Sequence, residues 1–521
     1  MFSTISSGAI CGITSFLISV EVDASDGLPC FNMVGLPSME VREAGERVKV
    51  ALKNTGFRIP AKHITVNLSP PDIKKEGVTV DRPVAVGILV STGNISEDST
   101  KNILFIGELG LDGDLKPVRG VLPIVQKAAE YGFKTCILPI ENAKEGAVVE
   151  GIDIIGMKSL SEVITYLDTD VSEQSKLFEP TRISINELFN NIQKENVEKL
   201  DFSDINGQAG VKRAAEIAAA GFHHILISGP PGSGKSMIAK RIPTILPPFS
   251  LDEALEVSTI YSVAGLLNSN EALISKRPFM SPHHSVTTTA LTGGGRVPQP
   301  GVISLAHRGV LFLDELAEFS RSTLDLLRQP LEDHTVHIAR VGGNFTYPAD
   351  FMMVGAMNPC PCGFFPDRNK CSCTDFEIKR YHSHISGPIL DRMDLCVEAP
   401  KIDVSELDRD NSLNESSKVI RQRVLRARDI QAERFEGTGL RFNSDMEARD
   451  IKKYCVLGSS EKRLVEQIFH RMDLSARSYH RMIKVARTIA DLDGSRDICE
   501  NHITEAACYR TSTFERHGLS N

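Results

Sequence analysis

Gly229-Pro230-Pro231-Gly232-Ser233-Gly234-Lys235-Ser236 is the stretch on which the reading of this chain turns. The apolar run His224-Ile225-Leu226-Ile227-Ser228 before it reads as a buried strand, and Met237-Ile238-Ala239-Lys240 after it reads as a helix. A strand, a glycine-rich turn and a helix in that order make a phosphate-binding loop. Its glycines let backbone N–H groups close around phosphate oxygens, and the helix N-terminus adds the positive end of its dipole. In such a loop Lys235 reaches the β- and γ-phosphates and Ser236 ligates Mg²⁺ through its hydroxyl.

Two later strands supply the rest of a hydrolytic site. Gly309-Val310-Leu311-Phe312-Leu313 is apolar and ends in Asp314-Glu315, about 80 residues after the glycine-rich turn. A buried strand there presents Asp314 to the Mg²⁺ shell and Glu315 to an attacking water. A helix is expected over 316–327. Phe351-Met352-Met353-Val354-Gly355-Ala356-Met357 ends in Asn358, whose amide can hold that water against the γ-phosphate.

The 521 residues leave room for about three domains. Apolar and charged shares of 41% and 24% are those of a globular protein. A net charge of −8 excludes a surface that is polyanion-binding throughout, so any nucleic-acid contact must come from local basic patches or a shared pore. No run of about 18 apolar residues suggests a membrane span. The first residues lack a basic region ahead of their apolar stretch, and no secretory leader is expected. With eleven cysteines, an odd number, this points to the reducing cytoplasm.

Residues 1–170 mix short strands with helices over 41–54, 83–91 and 122–131, an α+β pattern, with Gly56 as a C-cap and Asp112-Gly113 as a hairpin turn. Lys74, Lys75 and Arg82 are basic, and a solvated face explains them as well as a DNA- or substrate-contacting one does. Residues 171–200 read as a linker with one short helix over 183–192, and 201–400 as the α/β core. Residues 401–521 read as an all-helical lid with helices over 417–433, 447–456, 460–472 and 478–492, the first carrying Arg421, Arg423, Arg426 and Arg428 outward. A hairpin is expected at 336–347, with Val341-Gly342-Gly343-Asn344 as its turn. Residues 277–308, long and poor in apolar residues, read as a functional loop or a disordered one.

Cys360-Pro361-Cys362 and Cys371-Ser372-Cys373 are two Cys-x-Cys pairs eight residues apart. Four thiolates so spaced suit tetrahedral Zn²⁺; a redox pair and free cysteines are the alternatives.

Ser386-Gly387-Pro388-Ile389-Leu390-Asp391-Arg392-Met393-Asp394 brings these motifs together into a family likeness. With Phe31-Asn32-Met33-Val34-Gly35-Leu36-Pro37, Ser281-Pro282-His283-His284-Ser285 and Asn358-Pro359-Cys360-Pro361-Cys362-Gly363, it resembles the magnesium-chelatase-like AAA+ proteins of the YifB/ComM type across nearly the whole chain. The resemblance implies an α/β P-loop AAA+ core with a helical lid, preceded by an α+β domain of the Lon-protease type. The places of the Lon nucleophile and base hold Val84 and Leu122, which excludes peptidase chemistry. It implies Arg392 as an arginine finger and Arg477 as the sensor-2 arginine, in cis or in trans, with Arg481 as competitor. Ile205 and Gly207 are placed near adenine, and His384 stands near the position of a family arginine. The two insertions would face a ring's pore, so Lys276, Arg296 and Arg340 are candidate DNA contacts. The expected protein is a homo-oligomeric, Mg²⁺-dependent ATPase, a hexamer in the family's manner, that moves DNA in branch migration. A metal-chelatase motor subunit and a protein remodeller are the alternatives.

Overall fold

The computed structural model describes residues 2–71, 79–185, 188, 200–269, 271–340, 343–401 and 414–510. None of its helices is long and apolar enough to cross a membrane. Lys74, Lys75, the turn residues Val341-Gly342 and most of the expected 183–192 helix lie outside the described residues.

The N-terminal part is a mixed seven-stranded sheet. Its order is Cys30–Val34, His63–Ser69, Thr14–Ser25, Phe2–Cys11, Ile103–Phe105, Thr135–Pro139, Asp153–Met157. Phe2–Cys11 and Thr14–Ser25 form a hairpin, and the last four strands run parallel. Strict alternation makes Thr14–Ser25 a strand: Val20, Val22 and Ala24 are buried, with Glu21 and Asp23 on the other face. Helices Met39–Asn54, Asp81–Ser91 and Val121–Glu130 fall where expected. Gly56, at φ +91°, follows the first, and the strands on either side of Asp112-Gly113 pair. Val84 and Leu122 are core residues at 0% exposure. Arg82 departs from expectation: it lies fully buried and donates to the carbonyl of Ile137, not on a solvated face. Burial lowers its pKa to about 9.

The described residues of the linker are ordered, in keeping with a composition that is not low-complexity. It starts with the helix Val171–Leu177, Thr181 bridges Ile154, and Ile183, Ile185 and Leu188 pack beside Val148, Ala272 and Leu273.

The second sheet is wholly parallel, in the order Phe279–Met280, Val310–Leu313, Met352–Met357, Ile225–Ser228, Leu395–Glu398. Its central strands are buried along their length, as a sheet covered on both faces requires. This order sets the carboxyl ends of three neighbouring strands side by side, which brings Gly229, Asp314 and Asn358 to one edge. The helix expected over 316–327 is instead two short pieces, Leu316–Glu318 and Arg321–Asp325. Ser320 restarts the chain by accepting from Thr323 N–H, and Phe319 is buried between the pieces.

The lid helices Ser417–Arg434, Ala448–Tyr454, Ser459–Arg471 and Ala476–Leu492 match the sequence within a few residues. A further helix, Glu500–Cys508, was not foreseen; just beyond it the Tyr509 carbonyl accepts from Cys396 N–H at the sheet edge. The lid and core share one apolar cluster, in which Val424, Met482 and Ile489 join Ile225, Ile227 and Phe312. Two of the four arginines on the expected outward face of Ser417–Arg434 are used internally, contrary to expectation, while Arg426 stays exposed. Arg423 pairs with Glu415 and Glu216, and Arg428 lies 3.8 Å over the Phe442 ring.

Both insertions are ordered in their described residues. Thr335–Arg340 pairs with Gly343–Pro348, and Gly293–Gly294 with Gln299–Pro300. The buried Tyr347 hydroxyl donates to the Pro298 carbonyl at 2.8 Å, which joins the two ladders. On the other side of the long hairpin, Gly12 in the turn between the first two strands lies against the Phe345 ring.

Candidate nucleotide site

The glycine-rich turn leads from Ile225–Ser228 into the helix Lys235–Ile245. Gly232 and Gly234 take φ of +77° and +84°, where a side chain would be strained. Lys235 Nζ donates to the carbonyls of Gly229 (2.7 Å) and Pro230 (2.9 Å) and to Asn358 Oδ1 (3.2 Å). Burial pulls the Lys235 pKa down while Asp314 opposes that shift. Ser236 Oγ donates to Asp314 Oδ2 at 2.7 Å. A hydroxyl and a carboxylate held together are the hard oxygen donors that fit Mg²⁺. The structure therefore brings together Gly229–Ser236, Asp314 and Asn358.

Glu315 sits next to Asp314, exposed, with φ +52°. A left-handed conformation costs a non-glycine residue about 1 kcal/mol, which turns this carboxylate out of the strand direction. The insertion reaches it: His284 Nδ1 lies 3.6 Å from Glu315 Oε2, with the His283 ring 4.0 Å from that of His284. His384 is aligned nearby, its Nδ1 3.0 Å from the Ala317 carbonyl. His284 was missed as a site residue; the only signal was its place in Ser-Pro-His-His-Ser.

Gln208 was also missed. At φ +55°, it donates through Nε2 to the carbonyls of Ser233 (3.0 Å) and Pro400 (2.7 Å), so it ties the phosphate loop to the end of the last core strand. Its Oε1 is buried without a hydrogen-bond partner among the described residues. Ile205, placed near adenine by resemblance, is a core residue at 3% exposure.

The two expected arginines are elsewhere. Arg392 and Arg477 line a cleft of about 1190 Å³ together with His224, Glu332, Arg481 and Lys484. His224 precedes the strand Ile225–Ser228, and Arg308 and Asp350, also in the cleft, precede Val310–Leu313 and Met352–Met357. The cleft thus lies at the amino ends of the parallel strands, and the phosphate loop at their carboxyl ends. A four-residue strand spans about 13 Å. Arg392 and Arg477 are not brought to Lys235 in this subunit. Arg392 is buried and pairs with Glu332, and donates to the Pro388 carbonyl at 2.7 Å; Asp391 and Asp394 are not its partners. Arg477 is exposed and carries no hydrogen bond or ion pair among the described residues. Arg481 is engaged internally, 2.6 Å from the buried Asp394, whose pKa falls well below the usual carboxylate range although burial opposes this.

Arg296 and Arg340 are exposed at the ends of the two joined ladders, and an Arg340 Nη atom lies close over Gly294. Lys276 is exposed, but no hydrogen bond or ion pair links it to either arginine. Its neighbour Arg277 donates to the carbonyls of Pro247 and Arg308.

The four clustered cysteines converge, with all Sγ atoms within 4.8 Å of one another. Burial acts to raise the Cys362 thiol pKa, but hydrogen bonds from the Phe364 backbone and the neighbouring thiols bring it down to about 6, while burial first and then its neighbours push Cys373 to about 12.

Three family models match the chain: magnesium chelatase subunit ChlI over residues 201–407, subunit ChlI of Mg-chelatase over 20–142, and the magnesium chelatase subunit ChlI C-terminal region over 414–510. Competence protein ComM of Haemophilus influenzae is 40% identical over 516 residues, covering 99% of this chain and 98% of that protein. The uncharacterized protein YifB of Escherichia coli is 40% identical over 509 residues, 98% and 97% of the two chains. Lon protease 2 of Bacillus subtilis is 30% identical over 184 residues, 32% of each. Matches of this extent, together with the phosphate loop, the Asp314-Glu315 pair and Asn358 gathered at one sheet edge, make the chain a member of the magnesium-chelatase-like family that contains ComM and YifB.

Proposed function

We propose that this protein is a ring-forming, Mg²⁺-dependent ATPase whose site is completed by a neighbouring copy, and that it uses hydrolysis to move along DNA, with branch migration of recombination intermediates as its task. Family membership implies ATPase activity. The observation that carries the ring is the separation of Arg392 and Arg477 from the phosphate loop of their own subunit. A cleft with arginines at one end of the sheet and a phosphate site at the other is the arrangement a head-to-tail ring uses.

In this reading Gly229–Gly234 and Lys235 bind the phosphates, with Lys235 exchanging its present carbonyl partners for phosphate oxygens. Ser236 and Asp314 hold Mg²⁺, which when bound offsets charge on the β- and γ-phosphates. Glu315 accepts the proton of the attacking water, and Asn358 orients that water. Arg392 and Arg477 of a neighbour stabilise charge on the transferring phosphoryl group. Residues 201–400 are the motor, 401–521 its lid, 171–200 the linker, and 1–170 a Lon-type domain without the protease dyad that docks on the long hairpin. The setting is the cytoplasm, and six copies are the expected ring. Arg296 and Arg340 contact DNA; Lys276 is the weaker member of that set. The name of the Haemophilus relative, a competence protein, favours DNA as client.

The test is ATP turnover with and without forked DNA. Stimulation is expected, and Glu315→Gln is expected to bind ATP yet lose strand displacement. Turnover that ignores every DNA substrate would sink the DNA reading and favour a chelatase motor or protein remodeller, the second reading that the chelatase family models support.

A further inference from the structure

We propose that Cys360, Cys362, Cys371 and Cys373 bind one zinc ion as a tetrahedral tetrathiolate, and that this ion holds the segment that braces the phosphate loop. The metal site stands independently of the reading above; only its effect on nucleotide rests on that reading.

Three Sγ pairs are nearly equal in length. Cys360–Cys362 is 3.3 Å, Cys360–Cys371 is 3.7 Å and Cys362–Cys371 is 3.6 Å. A tetrahedron with Zn–S bonds of about 2.3 Å has S···S edges of about 3.8 Å. Two disulfides would instead join the four sulfurs in two pairs, each at about 2 Å. The Phe365 N–H points at Cys360 Sγ at 3.4 Å, a donor that favours the thiolate form a metal requires.

The surrounding core is too small to stand alone. Only Cys360, Phe365, Cys371 and Ile378 are buried in this cluster, with Cys362 and Cys373 packed on it. Two of its four buried members are thus cysteines, and a unit this poor in apolar surface needs a staple. Arg368, which pairs with Asp375, lies 5.0 Å over the Phe365 ring and donates to the Cys373 carbonyl at 3.2 Å, so it ties the two Cys-x-Cys arms together.

The segment touches the nucleotide site at two places. Cys360 is two residues beyond Asn358, and His382 Nε2 lies 3.0 Å from the carbonyl of the intervening Pro359. Gly363, at φ +83°, is packed against Pro231 of the phosphate loop so closely that a Cβ there would lie 2.5 Å from Pro231 Cδ. Binding of the ion releases thiol protons to solvent and fixes both contacts at once.

The experiment uses the full chain. Metal analysis after purification is expected to give one zinc per chain, and exchange for Co²⁺ is expected to give the intense visible absorption of a tetrahedral cobalt thiolate. Cys362→Ser and Cys373→Ser are expected to lose that absorption and bind a non-hydrolysable ATP analogue about tenfold more weakly, whereas the exposed Cys499→Ser changes neither. Unmutated protein with four thiols open to a thiol reagent, no stoichiometric metal and no cobalt absorption would overturn the site, whatever the variants do to folding. Loss of metal with unchanged nucleotide affinity would overturn the brace. The metal readout depends on neither nucleotide, DNA nor assembly, so its failure is separable from failure of the proposed function, and binding of the analogue by the unmutated protein separates failure of the brace from failure of the nucleotide reading.

Discussion

Arg477 and Arg481 are one turn apart on the helix Ala476–Leu492, and their surroundings divide their roles. Arg481 answers the buried Asp394, and Arg477 has no partner among the described residues. Arg481→Ala should lower stability by about 3 kcal/mol, since it leaves a buried charge uncompensated, measured by urea unfolding. Arg477→Ala should leave the unfolding midpoint in place while ATP turnover falls by about 10²-fold. If the two phenotypes were exchanged, the assignment of the trans arginine would move to Arg481. His224 offers a pH test. The ring is half-buried at the cleft and its Nδ1 accepts from Met353 N–H at 3.1 Å, so the folded protein needs the neutral ring, and desolvation lowers the pKa from 6.5 to about 4. The unfolded chain takes up the proton first as pH falls. The stability this ring contributes is therefore complete above about pH 6.5 and is lost as pH drops toward 4, by at most about 3 kcal/mol. A denaturation midpoint with the same pH dependence in wild type and His224→Asn over that window would contradict it.

At the scale of elements, the functional loop over 277–308 is ordered because it leans on the long hairpin through Tyr347 and Pro298. That contact presents Arg296 and Arg340 from neighbouring tips, and the same segment also places His284 beside Glu315, so in the proposed function it touches both the DNA contacts and the carboxylate that activates water. Arg296→Glu with Arg340→Glu should weaken DNA binding at least about tenfold and lower the salt slope by about 2, with basal ATP turnover retained. Affinity titrations at several salt concentrations check this, and an unchanged slope would return both residues to ordinary surface charge. The helix expected over 316–327 failed at this scale for a local reason. Apolar spacing alone cannot show that Ser320 starts a new turn or that Phe319 is drawn into the core between the two pieces.

At the scale of the whole molecule, the proposed function pairs the site at the strand carboxyl ends of one subunit with the cleft at the amino ends of another. Mixing Arg392→Ala protein with Glu315→Gln protein should restore turnover, because some junctions in a mixed ring then pair an intact Glu315 with an intact Arg392. Two inactive variants that stay inactive at every mixing ratio, while still assembling, would rule out a shared site. The sequence by itself determined the parts that depend on near neighbours in the chain. These are the glycine turn that wraps phosphate, the apolar strands that end in Asp314-Glu315 and Asn358, the alternating N-terminal strands, and most lid helices. Each is set by side-chain period, by glycine's freedom at positive φ or by a strand's abrupt change from apolar to polar. Tertiary structure alone decided which distant groups meet: Gln208 on the phosphate loop, His284 on Glu315, Glu332 rather than a neighbouring aspartate on Arg392, and a buried Arg82 where a solvated one was expected. Those contacts depend on the order of the parallel strands and on how insertions and lid pack across them, and residue spacing along the chain carries no record of either.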